Sequence, residues 1–202
     1  MAVRKLPAIL AVPALLAFST ASASAHIMME GAGEITNGAL HPLMTPAHVL
    51  VLLATGLLCG QNARDKDANP LRVFAPVLAA ALLATLAPFL SGELWQPLVI
   101  GASLVLAALV ALDLRLPRAV VITLTVLSAV VLGLDSGAEA DTLAAKVKTL
   151  AGTWVTASAV VFYISACASN AEGKPWARTA IRVIGSWIVA IGLMVLAFAL
   201  KK

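Results

Sequence analysis

The chain has 202 residues, of which 61% are hydrophobic and 12% are charged, and its mean hydropathy is +0.98. This composition excludes a soluble globular domain and indicates an integral membrane protein. The formal net charge is +4, but the basic residues lie in short segments between apolar runs and form no patch, which excludes a nucleic-acid-binding surface.

The N-terminal segment has the pattern of a cleavable secretory signal. A positively charged start precedes the apolar core Leu6–Phe18, and Ala23–Ala25 supplies the small residues of a cleavage site. Cleavage would leave His26 as the mature N-terminus, where its α-amine and imidazole could chelate one metal ion, although it could equally be an incidental first residue. The chain is therefore divided into a signal peptide, residues 1–25, and a membrane domain, residues 26–202.

A short outer arm, His26–Leu40, leads to two further histidines at the mouth of the first apolar run. Thr45 and Pro46 are typical of a helix start, as N-cap and first helical residue. On a continuous helix, His41 and His48 would lie about 10 Å apart, too far to share a metal ion. A helix that starts at Pro46 instead lets His41 fold back towards His48. Such a pair at a membrane entrance indicates a metal site, and the alternative is a pair of hydrated interface residues.

Six apolar segments are predicted to cross the membrane. They are Val49–Leu58, Phe74–Leu90, Leu98–Leu112, Ala119–Leu134, Thr149–Ala168 and Val183–Leu200. Gly56 and Gly60 have the spacing that lets two helices approach closely. The sequence therefore predicts an all-α integral membrane protein, a cleavable signal peptide followed by a bundle of about six transmembrane helices.

The basic residues are distributed unevenly between the two sides of this bundle. Eight lie in alternate loops and four lie on the opposite side. The eight are Arg64, Lys66, Arg72, Arg115, Arg118, Lys174, Arg178 and Arg182. The positive-inside rule places this larger set in the cytoplasm, and the signal peptide independently places the mature N-terminus in the periplasm. Both arguments predict a multi-pass protein of the bacterial inner membrane.

The end of the fourth apolar segment, Val131–Glu139, carries two glycines and two carboxylates without a basic neighbour in sequence. The predicted topology puts it on the same outer side as His41 and His48. Asp135 and Glu139 could therefore join the two imidazoles around one cation. The alternative is a Gly-Ser turn with solvated acids.

Two cysteines, Cys59 and Cys167, are too few and too far apart for a disulfide framework or a zinc signature. Small helix-packing residues and a soft-metal exit site are the two interpretations. No Ser-His or Cys-His arrangement suggests a nucleophile with its base, and the zinc-protease pattern His-Glu-x-x-His is absent. The sequence therefore predicts that the protein is not an enzyme.

With these segments identified, the chain resembles the HupE/UreJ family of hydrogenase- and urease-associated nickel permeases. That family carries a motif of His, five residues, Asp and His at the first span. His41 and His48 stand at its two histidine positions, and Ala47 stands where the family has Asp. The resemblance covers the whole mature chain.

A second family motif, Phe-His-Gly-x-Ala/Val-His-Gly-x-Glu, belongs to the fourth span. Gly133, Gly137 and Glu139 match it. Leu132 and Ser136 occupy its two histidine positions, and Asp135 replaces the small residue between them. Exchanging imidazole for carboxylate shifts a site towards harder cations or abolishes it.

The resemblance implies a secondary permease, not driven by ATP, that transports a divalent metal ion. Nickel or cobalt is the expected cargo, with copper left open, and no permanently bound cofactor is expected. The expected ligands are His41, His48, Asp135, Glu139 and His26. Expected partners are the lipid bilayer and the metal ion, and both a homo-oligomer and a role in hydrogenase or urease maturation stay open. The alternative function is a non-transporting membrane accessory subunit.

Overall fold

The structure is a computed structural model that describes residues 33–63, 71–87, 94–171 and 173–201. These residues form seven helices and no strands, which confirms the all-α prediction for this part of the chain. The helices are α1 (Glu34–Met44), α2 (Pro46–Gln61), α3 (Leu71–Ala84), α4 (Trp95–Ala111), α5 (Arg118–Asp135), α6 (Leu143–Asn170) and α7 (Pro175–Leu200). The predicted signal peptide and His26 lie outside the described residues.

Three of these helices, α5, α6 and α7, are long and apolar enough to cross a membrane. The 18 residues of α5 correspond to about 27 Å of helix, close to the hydrocarbon thickness of a bilayer. α1 and α2 together would make a fourth span, broken by a bend of 75°. α3 and α4 are shorter apolar helices. The count of six spans therefore stays a prediction.

α2 is the central helix of the described bundle. It contacts α1, α4, α5, α6 and α7, and thirteen of its sixteen residues are buried. A helix that is apolar on all sides must be surrounded by protein or lipid, and here protein covers it. His48 near its start and Gln61 at its end are therefore held in the interior of the bundle.

Two glycines let α2 approach α6 closely, as the sequence predicts. A Cβ atom at Gly56 would lie 2.8 Å from the Cβ of Ile164, and one at Gly60 would lie 2.5 Å from the Cβ of Ala168. Real Cβ atoms essentially never come so close. Both glycines are therefore packing residues.

Four predicted boundaries require correction. The second predicted span ran to Leu90, but α3 ends at Ala84 and residues 85–87 form a turn, because the approach of a proline in the sequence disfavours helical backbone before it. The outer arm was predicted to be a loop up to Leu40, but its last part is helical and packs on α6 as α1. α6 and α7 begin several residues before the predicted spans and include basic residues assigned to loops, Lys146, Lys148 and Arg178. Long basic side chains are tolerated at helix ends because they extend towards water.

The N-cap of α6 is Thr142, whose hydroxyl accepts a hydrogen bond from the amide of Ala145.

Candidate functional site

α1 and α2 meet at a bend that brings two histidines together. The bend falls at Thr45, whose extended backbone precedes Pro46 at the start of α2, as predicted. The Thr45 hydroxyl donates back to the carbonyl oxygen of His41 (3.0 Å) at the end of α1 and makes no side-chain cap bond to α2. The imidazole rings of His41 and His48 consequently meet edge to face, with their centroids 5.1 Å apart.

His48 is hydrogen-bonded to a carboxylate from another helix. Its Nε2 donates to Oδ2 of Asp135, the last residue of α5, at 2.7 Å. The His48 side chain is 1% exposed and that of Asp135 is 12% exposed, so the pair is largely removed from water. With the proton on Nε2, the neutral ring keeps a lone pair on Nδ1. This Nδ1 atom is buried and has no hydrogen-bond partner among the described residues.

We define the His48 cluster as His41, His48 and Asp135, three of the five predicted metal ligands. Glu139 lies beyond the end of α5 and is exposed, and His26 lies outside the described residues. In the parts of the chain that the structure describes, no group of three or more His, Cys, Asp and Glu residues is arranged to hold a metal ion. The five-residue metal site therefore remains a prediction.

A second polar cluster lies at the other end of α2, and the sequence analysis did not identify it. We define the Asp113 cluster as Gln61, Asn62, Asp113, Arg115 and Arg178. Gln61 Nε2 donates to Asp113 Oδ1, and Arg178 Nε donates to Asp113 Oδ2. Arg115 Nη1 donates to the carbonyl oxygen of Gln61, and the Asn62 side chain accepts from the amide of Leu116 (2.8 Å). The cluster joins the end of α2 to the α4–α5 loop and to α7.

Asp113 has an uncommon backbone conformation, and its pKa is lowered by its neighbours. Its φ of 55° lies in the left-handed region, which Asp and Asn tolerate better than most residues. Burial on its own raises the pKa of Asp113. Hydrogen bonds from Arg178 and Gln61, with the charges of Arg178 and Arg115, outweigh this effect and hold the pKa below its ordinary value of 3.8.

Asp113→Asn is expected to remove part of the acid sensitivity of the protein. Because the folded state lowers the pKa of Asp113, it favours the carboxylate. This contribution to stability is present above the ordinary pKa and is lost as the pH falls through the lowered value. Thermal unfolding of the purified protein in detergent, followed from about pH 3 to pH 7, measures it. The control is Asp141→Asn, at an exposed carboxylate; equal acid sensitivity of both variants would contradict the assignment.

Comparison with known proteins identifies the family. The family model described as HupE / UreJ protein matches residues 14–195, most of the chain. The chain belongs to the HupE/UreJ family. No curated protein and no solved structure matches the chain. At the level of the family, the role is that of a nickel/cobalt accessory permease, and the family is not one of catalytic enzymes.

Three positions at which this chain differs from the HupE/UreJ motifs are buried. Ala47, at the Asp position of the first motif, is buried, and the carboxylate beside His48 comes instead from Asp135. At the histidine positions of the second motif, Leu132 lies in the apolar core, and the buried Ser136 hydroxyl donates back to the carbonyl oxygen of Leu132 (2.7 Å). These two positions supply no metal-ligating nitrogen.

A row of small polar side chains connects the two ends of the α2–α5 interface. Cys59 of α2 is buried, and its Sγ lies 3.3 Å from Oγ1 of Thr125 on α5. Since the Thr125 hydroxyl donates to the carbonyl of Val121, the thiol is the donor of this contact. Thr55 and Ser128 are buried on the same two helices. Cys167 is exposed.

Proposed function

We propose that this protein is an inner-membrane permease that takes up a divalent transition-metal cation of the nickel/cobalt type without ATP. The observation that carries the proposal is the His48 cluster, in which the largely buried His48–Asp135 pair has the half-buried ring of His41 against the ring of His48. Polar and ionisable groups are costly in an apolar bundle and mark ion pathways when they occur there.

Capture requires only a small rearrangement of the His48–Asp135 pair. A metal ion bound by one nitrogen and one oxygen at about 2.1 Å holds these atoms roughly 3.4 Å apart in tetrahedral geometry, and they are now 2.7 Å apart. The cation would therefore replace the proton that His48 Nε2 shares with Asp135, and His41 would approach as a further ligand. Because the proton must leave, binding would release it to the periplasm.

The interface between α2 and α5 provides a path from this site. Along α2, His48, Thr55 and Cys59 recur at spacings of seven and four residues, so they share one face of the helix. On α5, Thr125 and Asp135 are ten residues apart and lie about 80° from each other around the helix. Each nevertheless contacts the α2 row, one at either end of the interface. Hydroxyl and thiol groups bind cations weakly, as conduction requires.

The surface of the outer helices fits a lipid environment. Tyr163 on α6 and Trp187 and Phe198 on α7 are each exposed over about two thirds of their surface or more. Such large exposed apolar side chains suit a protein–lipid boundary. We propose six spans, with the mature N-terminus after Ala25 in the periplasm, where the His48 cluster would face incoming metal. A homo-oligomer and a role in hydrogenase or urease maturation fit this proposal.

The mixture of imidazole and carboxylate ligands favours a metal ion of intermediate hardness. Imidazole suits nickel, copper and zinc, whereas carboxylate suits harder cations. The family role favours nickel or cobalt within this range. We propose Glu139 and, after signal cleavage, His26 as periplasmic ligands that deliver the cation to the His48 cluster, and no permanently bound cofactor.

A second candidate function is a membrane accessory subunit that no longer transports metal. It is favoured by the buried Leu132 and Ser136, which replace both histidines of the second family motif. A subunit of this kind needs only its helix-packing surfaces, so it would tolerate the loss of His41 or His48 once the fold is preserved.

The deciding experiment is cellular accumulation of nickel, cobalt, copper, zinc and manganese. Cells with the intact protein, His41→Ala, His48→Ala or the control Lys148→Ala are compared at equal amounts of protein in the membrane. We expect uptake of one metal above the empty-vector level, a loss of tenfold or more in both histidine variants, and no loss in the exposed Lys148 control. No uptake of any metal by the intact protein would overturn the permease and favour the accessory subunit.

A further inference from the structure

A cavity of about 410 Å³ adjoins the Asp113 cluster at the end of the bundle opposite the His48 cluster. Its volume lies in the range of ligand pockets, about 300–1,000 Å³. Its charged and amide side chains are Gln61, Asp113, Arg115, Lys174 and Arg178, and Ala, Gly, Pro and Ile residues form the rest of the lining. The metal pathway proposed above does not account for this cavity.

The charges around the cavity favour an anion. Three of the described lining side chains are cationic and only Asp113 is anionic. Both Asp113 oxygens are already occupied, by Gln61 and by Arg178. Lys174 is exposed at the N-cap of α7, and this cap makes no side-chain hydrogen bond. The positive end of the helix dipole therefore adds to the field of the basic side chains.

The side-chain oxygen of Gln61 favours a ligand that also carries a hydrogen-bond donor. The residue is 6% exposed, and its Nε2 is used by Asp113 and by the carbonyl of Val110. Its Oε1 is buried and accepts no hydrogen bond among the described residues. A ligand that satisfies the cations and Gln61 together therefore carries an anionic group with a hydrogen-bond donor beside it. A phosphate diester has no donor of its own, but one whose substituent bears a hydroxyl group meets both conditions.

We propose that this cavity binds the headgroup of an anionic phospholipid that bears a hydroxyl group beside its phosphate, as phosphatidylglycerol does. The phosphate would lie between Lys174 and Arg178, and the hydroxyl would donate to Gln61 Oε1. The positive-inside rule places this end of the bundle at the cytoplasmic leaflet, where basic pockets between transmembrane helices attract anionic headgroups. The apolar part of the lining suits a lipid better than a freely soluble phosphate ester.

The test is lipid retention by the purified full-length protein, measured by native mass spectrometry after incubation with phosphatidylglycerol, phosphatidylmethanol or phosphatidylcholine. We expect preferential retention of phosphatidylglycerol. Lys174→Gln should weaken it about fivefold, the contribution of one basic residue near an anionic group, and Lys174→Arg should restore it. Lys201→Gln, an exposed lysine at the other end of α7, is the matched control and should not change it.

Four outcomes would overturn the proposal. Equal retention of phosphatidylcholine, or equal effects of Lys174→Gln and Lys201→Gln, would exclude an anionic site in this cavity. Equal retention of phosphatidylmethanol, which has the same charge but no hydroxyl, would exclude the hydroxyl contact with Gln61. Saturable binding of glycerol 3-phosphate without retention of phosphatidylglycerol would exclude the lipid as the source of the phosphate. Displacement of bound phosphatidylglycerol by glycerol 3-phosphate would instead support a site for the lipid headgroup.

Discussion

Asp135→Ala is expected to abolish metal uptake and to destabilise the protein by about 1–3 kcal/mol, the cost of a buried polar group without its partner. The substitution removes the only hydrogen bond that the described residues make to the buried His48 ring. It also removes the carboxylate proposed to bind the cation. Uptake in cells and thermal unfolding in detergent measure the two effects separately.

Asp135→Asn separates the charge of this side chain from its hydrogen bond. The amide oxygen still accepts from His48 Nε2, so the unfolding temperature should stay close to that of the intact protein. Uptake should nevertheless fall at least tenfold, because a neutral amide is a weaker ligand than a carboxylate. Asp141→Asn, an exposed carboxylate beyond the end of α5, is the control and should retain uptake. Full uptake by Asp135→Asn would contradict a role for the carboxylate in metal binding.

Gly38→Ala is expected to cost about 3 kcal/mol, the upper part of the range for overpacking a well-packed core. A Cβ atom at Gly38 would overlap the backbone of Thr149 on α6, and the facing Gly152 is as tightly placed against α1. Backbone atoms cannot move aside as the end of a side chain can, so α1 would have to separate from α6. The Thr153 hydroxyl, which donates to the Gly38 carbonyl (2.9 Å), would lose this bond.

Gly101→Ala is the matched control for this prediction. Gly101 lies within α4, and nothing comes within 4 Å of a Cβ built there. Alanine should therefore stabilise α4 slightly, by roughly 0.5–1 kcal/mol, through its higher helix propensity. The unfolding temperatures of both variants in the same detergent test the difference. Equal unfolding temperatures of the two variants would show that α1 does not pack on α6 as described. The position of His41, which lies on α1, would then be wrong as well.

The sequence alone predicted the part of the His48 cluster that depends on local geometry. Thr45 and Pro46 indicate a helix start whatever surrounds them, and this start decides that His41 turns back to His48. The all-helical architecture and the close contact of Gly56 and Gly60 with another helix were equally predictable, because apolar length and small-residue spacing are properties of a single segment.

The helix boundaries were less predictable. Charged residues were counted as loop, but the first turns of α6 and α7 carry Lys146 and Arg178, because basic side chains at a helix end can still reach water. α1 was missed because its stability depends on close packing against α6 at Gly38 and Gly152. Nothing within the outer arm itself reports this contact.

Only the tertiary structure could decide which distant side chains pair. The topology put Asp135 on the same side as His48, but the hydrogen bond between residues 87 positions apart depends on how α5 packs against α2. Asp113 and Arg178 are 65 positions apart, and nothing in the sequence indicates that they pair, since Asp113 is there only a single acid in a basic loop. The sequence determined six of the seven described helices, the family and the local bend at Thr45, because these follow from neighbouring residues. The pairings at both ends of α2 were decided by tertiary packing, because the position of one helix relative to another depends on contacts along their whole length.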